Sequence, residues 1–241
     1  MTYIIWALLA LLALGQPAAR GPVMAPSEVL GVHANADGRG LQGKVYVALG
    51  DSISAGRYAT AADATFPSLV AEKLGMNLEL IARSGTKAAW GVTQTGNVSV
   101  AHPALVTIEL GTNDVGFNTN AEAFASQYDA IVAAVSSPGT RVLCLGSWLP
   151  SPNFDAIIAS TCEQHGGTFV SLDGFYMVND FHASDGGSSY LGRTDWFHPG
   201  DQGHAAIAAA VIAALGAGPA PVVGPPPSAP PVTDVIRTHP H

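Results

Sequence analysis

The sequence is poor in charge. Of its 241 residues only 12% are Asp, Glu, Lys or Arg, about half the usual share, while 48% are hydrophobic. That balance excludes an intrinsically disordered chain and calls for a compact, well-buried domain. Cations are the scarcer sign: ten Lys and Arg stand against eighteen acids, for a formal net charge of −8. A nucleic-acid partner is excluded on that ground, because phosphate-backbone binders concentrate Lys and Arg. Cysteine is nearly missing, and Cys144 and Cys162 have two readings, one disulfide in an exported chain or two reduced core thiols. Also missing are the G-x-S-x-G elbow of α/β-hydrolases and the H-E-x-x-H of zinc enzymes. No metal and no other cofactor is implied. The stretch Gly38-Arg39-Gly40-Leu41-Gln42-Gly43-Lys44 imitates a phosphate loop, but Val45 replaces the required Ser or Thr, and the stretch precedes a strand instead of opening a helix.

No segment reaches the roughly 20 apolar residues of a spanning helix. Residues 4–14 form an eleven-residue apolar run, the length of a signal-peptide core, with Ala13-Leu14-Gly15 or Ala19 as cleavage sites. No Lys or Arg precedes the run, so an uncleaved membrane anchor is the competing reading. Residues 20–43 are rich in Gly, Ala and Pro without any period and read as a lead-in. After Gly216 eight of the seventeen prolines follow, the composition of an extended tail. The predicted organisation is a signal peptide or anchor at 1–19, a lead-in at 20–43, one folded domain at 44–216 and a Pro-rich tail at 217–241.

Within the domain, five β-type runs at 45–49, 78–82, 105–110, 142–145 and 168–172 predict five buried strands. Helical spacing joins Phe66, Leu69, Val70 and Leu74 on one face, and Phe124, Tyr128, Ile131, Val132 and Val135 on another. Pro67 suits the start of the first helix and Gly75 its stop. A last, alanine-rich helix is expected over 201–215, with Ile207, Val211 and Leu215 on one side. Strands alternating with helices predict a parallel sheet covered on both faces, with its site at the C-terminal strand ends.

Three polar clusters fall at those ends. The first strand runs into Gly50-Asp51-Ser52-Ile53-Ser54-Ala55-Gly56, which puts Ser52 just past a buried strand, where a nucleophile belongs. Ser84-Gly85-Thr86 follows the second strand, and a glycine there lets a backbone N–H approach a ligand. Gly111-Thr112-Asn113-Asp114 ends the third. Each cluster read alone is also an ordinary turn or helix cap. Near the C-terminus, Asp195-Trp196-Phe197-His198-Pro199 precedes the last helix, and the three-residue spacing lets both titratable side chains face one way. A neutral imidazole that takes a proton from Ser52 while a carboxylate holds its other nitrogen is serine-hydrolase logic. The other histidines read as residues of flexible ends or loops, and His204 as a passenger on the last helix. Asn97-Val98-Ser99 is a glycosylation sequon.

These blocks, in this order over residues 44–215, resemble the SGNH, or GDSL, hydrolase superfamily. The resemblance implies a flavodoxin-like three-layer α/β/α sandwich with a five-stranded parallel sheet. It implies Ser52, His198 and Asp195 as the catalytic triad, and an oxyanion hole from the N–H groups of Ser52 and Gly85 with the Asn113 amide. One departure stands out: many members carry Asn a few residues before the second-block glycine, where this chain has Ile81, Ala82 and Arg83. The expected function is a secreted serine esterase acting on short-chain or O-acetyl carbohydrate esters, with long-chain lipid or lysophospholipid hydrolysis as the alternative. A catalytically inert glycan-binding module is the rival from another class. The expected partner is a small-molecule, carbohydrate or lipid ester, with no obligatory protein partner.

Overall fold

The computed structural model describes residues 40–216. The segment read as signal or anchor, nearly all of the lead-in and the tail lie outside the described residues. In chain order the elements are β1 (Val45–Gly50), α1 (Phe66–Leu74), β2 (Asn77–Ala82), α2 (Ala88–Val100), β3 (Leu105–Glu109), a short α3 (Thr112–Gly116), α4 (Ala121–Val135), β4 (Arg141–Leu145), α5 (Pro152–Gln164), β5 (Thr168–Val170), a small antiparallel pair β6 (Ser188–Ser189) and β7 (Gly192–Arg193), and α6 (Asp201–Ala214). The five main strands form one parallel sheet in the order β2-β1-β3-β4-β5. β1 is therefore flanked on both sides, and its end lies close to the middle of the sheet edge.

Alternation along the strands splits the core into two layers. Tyr46, Ala48, Leu105, Leu143 and Leu145 pack with α1 and α6 on one face. Val47, Leu49, Val106, Ile108 and Val142 pack with α2, α4 and α5 on the other. Both faces being covered, the central strands are apolar at nearly every position. The predicted α/β/α sandwich is thus the observed one.

The expectation of five buried strands fails at β2, which lies at the sheet edge and leaves Leu80 49% exposed. Helices α2 and α5 carry no clear apolar period and go beyond the sequence reading. The α1 boundaries follow the predicted signals, with Thr65 accepting from Ser68 N–H at the start, Pro67 in the first turn and Gly75 in the left-handed conformation at the end. Cys144 of β4 and Cys162 of α5 form a disulfide, which decides between the two readings of that pair. Among the described residues no helix is long and apolar enough to cross a membrane.

Candidate active site

The polar clusters at the strand ends converge. Past β1 the chain turns sharply: Asp51 Oδ1 accepts from Ile53 N–H at 2.9 Å, and the Ser52 carbonyl accepts from Arg57 N–H at 2.9 Å. A side chain at Gly50 would place its Cβ 2.0 Å from Ser54 Oγ and 2.8 Å from the Glu109 carbonyl, so this turn tolerates only glycine there. Ser52 emerges at its top. Its Oγ lies 3.0 Å from His198 Nε2, and His198 Nδ1 lies 2.7 Å from Asp195 Oδ1, which also accepts the His198 backbone N–H at 3.1 Å. Burial pushes the Asp195 carboxyl up, but its hydrogen bonds from His198 outweigh that and hold it below the usual carboxylate range.

Beneath the turn is a pair of carboxyls that the sequence reading did not single out. Asp51 and Glu109 are both fully buried. Glu109 Oε2 accepts from Ser54 Oγ at 2.9 Å and from Ser54 N–H at 3.1 Å, while Asp51 Oδ2 accepts from Asn113 Nδ2 at 2.7 Å. Burial raises both, Asp51 to about 6 and Glu109 well above the carboxylate range, where the neighbouring Asp51 charge adds to the effect. Two adjacent buried carboxylates do not ionise together, and of the two Glu109 is held the more strongly in its protonated form. The available signal was an acid inside the apolar run Leu105 to Leu110. Ser54, bonded to Glu109 and wholly buried, has no route to a substrate.

Ser52, Gly85 and Asn113 line one cleft of about 380 Å³ together with Phe117, Leu149 and His198. Among the described residues the backbone N–H groups of Ser52 and Gly85 make no hydrogen bond, and one N–H of the Asn113 amide is left over from its bond to Asp51. Gly85 has φ +77°, a conformation that other residues adopt at a cost. In the absence of the customary asparagine, its loop is held by Thr86, whose Oγ1 donates to the Arg83 carbonyl at 2.7 Å, and by Arg83 N–H donating to the Gly50 carbonyl. Asp114 caps the helix that follows, accepting from Ala88 N–H at 2.9 Å.

The His198 segment is fastened from several sides. Trp148 Nε1 donates to the Phe197 carbonyl at 2.7 Å, and Tyr58 N–H donates to the Pro199 carbonyl at 2.9 Å. The ring of Tyr58 stands edge-on to the imidazole with centroids 5.1 Å apart. His204 is no passenger on α6. It is fully buried, Nδ1 accepts from Phe66 N–H at 3.3 Å, and Nε2 donates to the Arg57 carbonyl at 3.3 Å, so it ties α6 to α1 and to the turn after Ser52. Burial pulls its pKa down to about 4, leaving the ring neutral. Of the remaining histidines, His182 is also buried, its ring nitrogens 2.7 Å from the Trp196 and Tyr176 carbonyls.

Among the described residues no three His, Cys, Asp or Glu side chains come together as metal ligands. A hollow of about 530 Å³ at the opposite edge of the sheet, lined by Lys44, His102 and Thr140 among others, holds no paired nucleophile and base.

Residues 48–206 match the family of GDSL-like lipases and acylhydrolases. No curated protein matches the chain in sequence. Among solved structures, TesA is similar at 23% identity and a TM-score of 0.56, covering 71% of this chain and 98% of its own. A two-domain esterase active on acetylated mannans is similar at 19% identity and a TM-score of 0.59, over 86% of this chain; the shared part spans 57% of that esterase. The psychrotrophic esterase EstA from Pseudoalteromonas sp. is similar at 18% identity and a TM-score of 0.54, over 72% of this chain and 97% of its own. At these identities the likeness is one of fold.

Proposed function

Since the chain belongs to the GDSL-like lipase/acylhydrolase family and is an ester-hydrolysing serine hydrolase, we propose that Ser52 is its nucleophile, His198 the general base and Asp195 the group that orients it. The observation that carries this reading is the unbroken relay from Ser52 Oγ to His198 Nε2 at 3.0 Å and from Nδ1 to Asp195 at 2.7 Å, beside unengaged N–H donors. Ser52 Oγ attacks the ester carbonyl as its proton passes to Nε2. The tetrahedral oxyanion is met by the N–H groups of Ser52 and Gly85 and by the Asn113 amide, each such donor contributing roughly 3 kcal/mol. His198 then returns the proton to the departing alkoxide, leaving an acyl-enzyme. Water repeats the sequence in reverse, its proton going to His198 and then to Ser52 as the acid leaves.

Short acyl groups are the better fit. The cleft is at the small end of ligand sites at about 380 Å³, and its apolar wall of Phe117, Leu149 and Phe197 suits a compact acyl group. The two-domain relative in fold acts on acetylated mannans, which makes O-acetyl carbohydrates a reasonable substrate class. Phe117, 65% exposed at the mouth, favours the alternative of longer acyl chains. A series of p-nitrophenyl esters from acetate to palmitate tests the reading: highest kcat/KM at acetate or butyrate supports it, and a maximum at long chains selects lipid hydrolysis. A fluorophosphonate probe that leaves Ser52 unlabelled would return the chain to the inert-module reading.

We place the enzyme outside the cytoplasm. Support comes from the apolar run at 4–14 and from the Cys144–Cys162 disulfide, a bond that persists in oxidising compartments. N-terminal sequencing of exported protein should begin between Gln16 and Gly21, whereas an intact chain retained in the membrane indicates the anchor.

A further inference from the structure

Arg57 is unlike the rest of the cleft wall. Among the described residues it is the one Lys or Arg lining the cleft, and no Asp or Glu lines it. A guanidinium drawn partly out of water is costly unless something compensates its charge, and a structural arginine normally has a carboxylate beside it. Among the described residues no carboxylate lies within 4.0 Å of Arg57. Its partner is a neutral ring instead: Nη1 donates to Tyr58 Oη at 3.0 Å, and Cζ stands 5.3 Å from the centre of that ring. Nε is buried with no hydrogen-bond partner. The fork is therefore held in place while its charge stays uncompensated, in a protein whose formal net charge is −8.

The position of Arg57 says which half of an ester it meets. Tyr58, its partner, packs edge-on against the His198 imidazole at 5.1 Å. In the proposed mechanism that imidazole hands its proton to the departing alkoxide, so groups on its flank border the alcohol half. Gly85 and Asn113 border the carbonyl oxygen. Building on the esterase reading above, we propose that Arg57 recognises an oxyanion on the alcohol half, and that the preferred substrates are acyl esters of acidic alcohols. A carboxylate on a sugar and a phosphate on glycerol share the planar or near-planar oxygen pairs that a guanidinium binds two at a time.

The test measures acetate release from two matched pairs by the full chain. One pair is methyl 2-O-acetylglucopyranosiduronate and methyl 2-O-acetylglucopyranoside; the other is 1-acetylglycerol 3-phosphate and 1-acetylglycerol. The anionic member of at least one pair should be preferred about tenfold or more in kcat/KM, and the preference should shrink as salt rises from about 0.02 to about 0.5 M. The pair that responds identifies the source of the oxyanion. In Arg57→Gln the ratio should fall to near one, with Arg57→Lys, which keeps a charge but loses the fork, in between. Equal rates within both pairs for the unaltered enzyme, or a preference that survives Arg57→Gln, overturns the proposal. Should Arg57→Gln not fold, the preference of the unaltered enzyme, its salt dependence and the Lys variant decide. Cleavage of neutral esters without any anion preference removes this inference alone; no cleavage of any acetyl or p-nitrophenyl ester removes the esterase reading with it.

Discussion

The proposed nucleophile and its proposed base are held by different means. Ser52 stands just past a central strand, is 7% exposed, and lies over a sealed layer of Asp51, Ser54 and Glu109 in which each side chain is hydrogen-bonded. Asp195 and His198 sit in an irregular segment between a two-residue strand and the last helix, and 46% of the Asp195 side chain is exposed. The contrast is physical. An attacking oxygen must be placed to a fraction of an ångström, which a packed sheet edge provides, whereas an imidazole needs only its ring plane and tautomer set, which a few backbone contacts and one carboxylate can do.

That comparison can be broken at either end. Ser52→Ala and His198→Ala should each lower kcat on p-nitrophenyl acetate by about 10⁴-fold or more, since a triad loses nearly everything with either member; near-normal rates in either variant would show that the relay is not the machinery. Asp195→Asn should fall short of the roughly 10⁴-fold loss known for a buried triad aspartate. Water at the half-exposed carboxylate site supplies part of what the amide cannot, and a loss as large as that of His198→Ala would show that the base end is as tightly specified as the nucleophile.

Smaller effects probe what lies beneath. Replacing Cys144 and Cys162 by Ser should cost about 3 kcal/mol in denaturant titrations, the chain-entropy value for a loop of this size. His204→Ala, which looks neutral from sequence, should cost about 2 kcal/mol by leaving a cavity and two unpaired backbone groups. The carboxyl pair makes a prediction about sign. Asp51 and Glu109 have raised native pKa values, so in the folded state they keep protons that the unfolded chain has released. Stability should therefore decline as pH rises above the ordinary carboxylate range, by about 1.4 kcal/mol per pH unit for each proton retained, until the native group ionises. Glu109→Gln should flatten that slope, and an unchanged slope in the variant would place its origin elsewhere.

Features carried by local pattern were legible in the sequence. The five strand segments and helices α1, α4 and α6 follow from apolar period and stop residues, and all three members of the relay stand in short motifs at strand or helix ends. Helix α2 was not legible because Gly91, Gly96 and five β-branched residues speak against a helix. Asp51 and Glu109 are 58 residues apart, and no local pattern announces a pairing at that range. The same holds for His204 and Arg57, whose roles come from what the fold sets against them.

Ser52 and His198 are separated by 146 positions, and every strand of the main sheet lies in the interval between β1 and residue 170. A chain emerging from its N-terminus thus has the Ser52 turn, the carboxyl layer and the Gly85 and Asn113 loops available for assembly before His198 has been made. The sheet can be complete and the serine still inert. On the proposed mechanism, catalytic competence arrives only when the segment from His182 through α6 docks, with His204 joining Phe66 to the Arg57 carbonyl and Tyr58 N–H donating to the Pro199 carbonyl. In refolding experiments, recovery of activity should therefore time the docking of this last segment and lag behind any signal from the sheet itself.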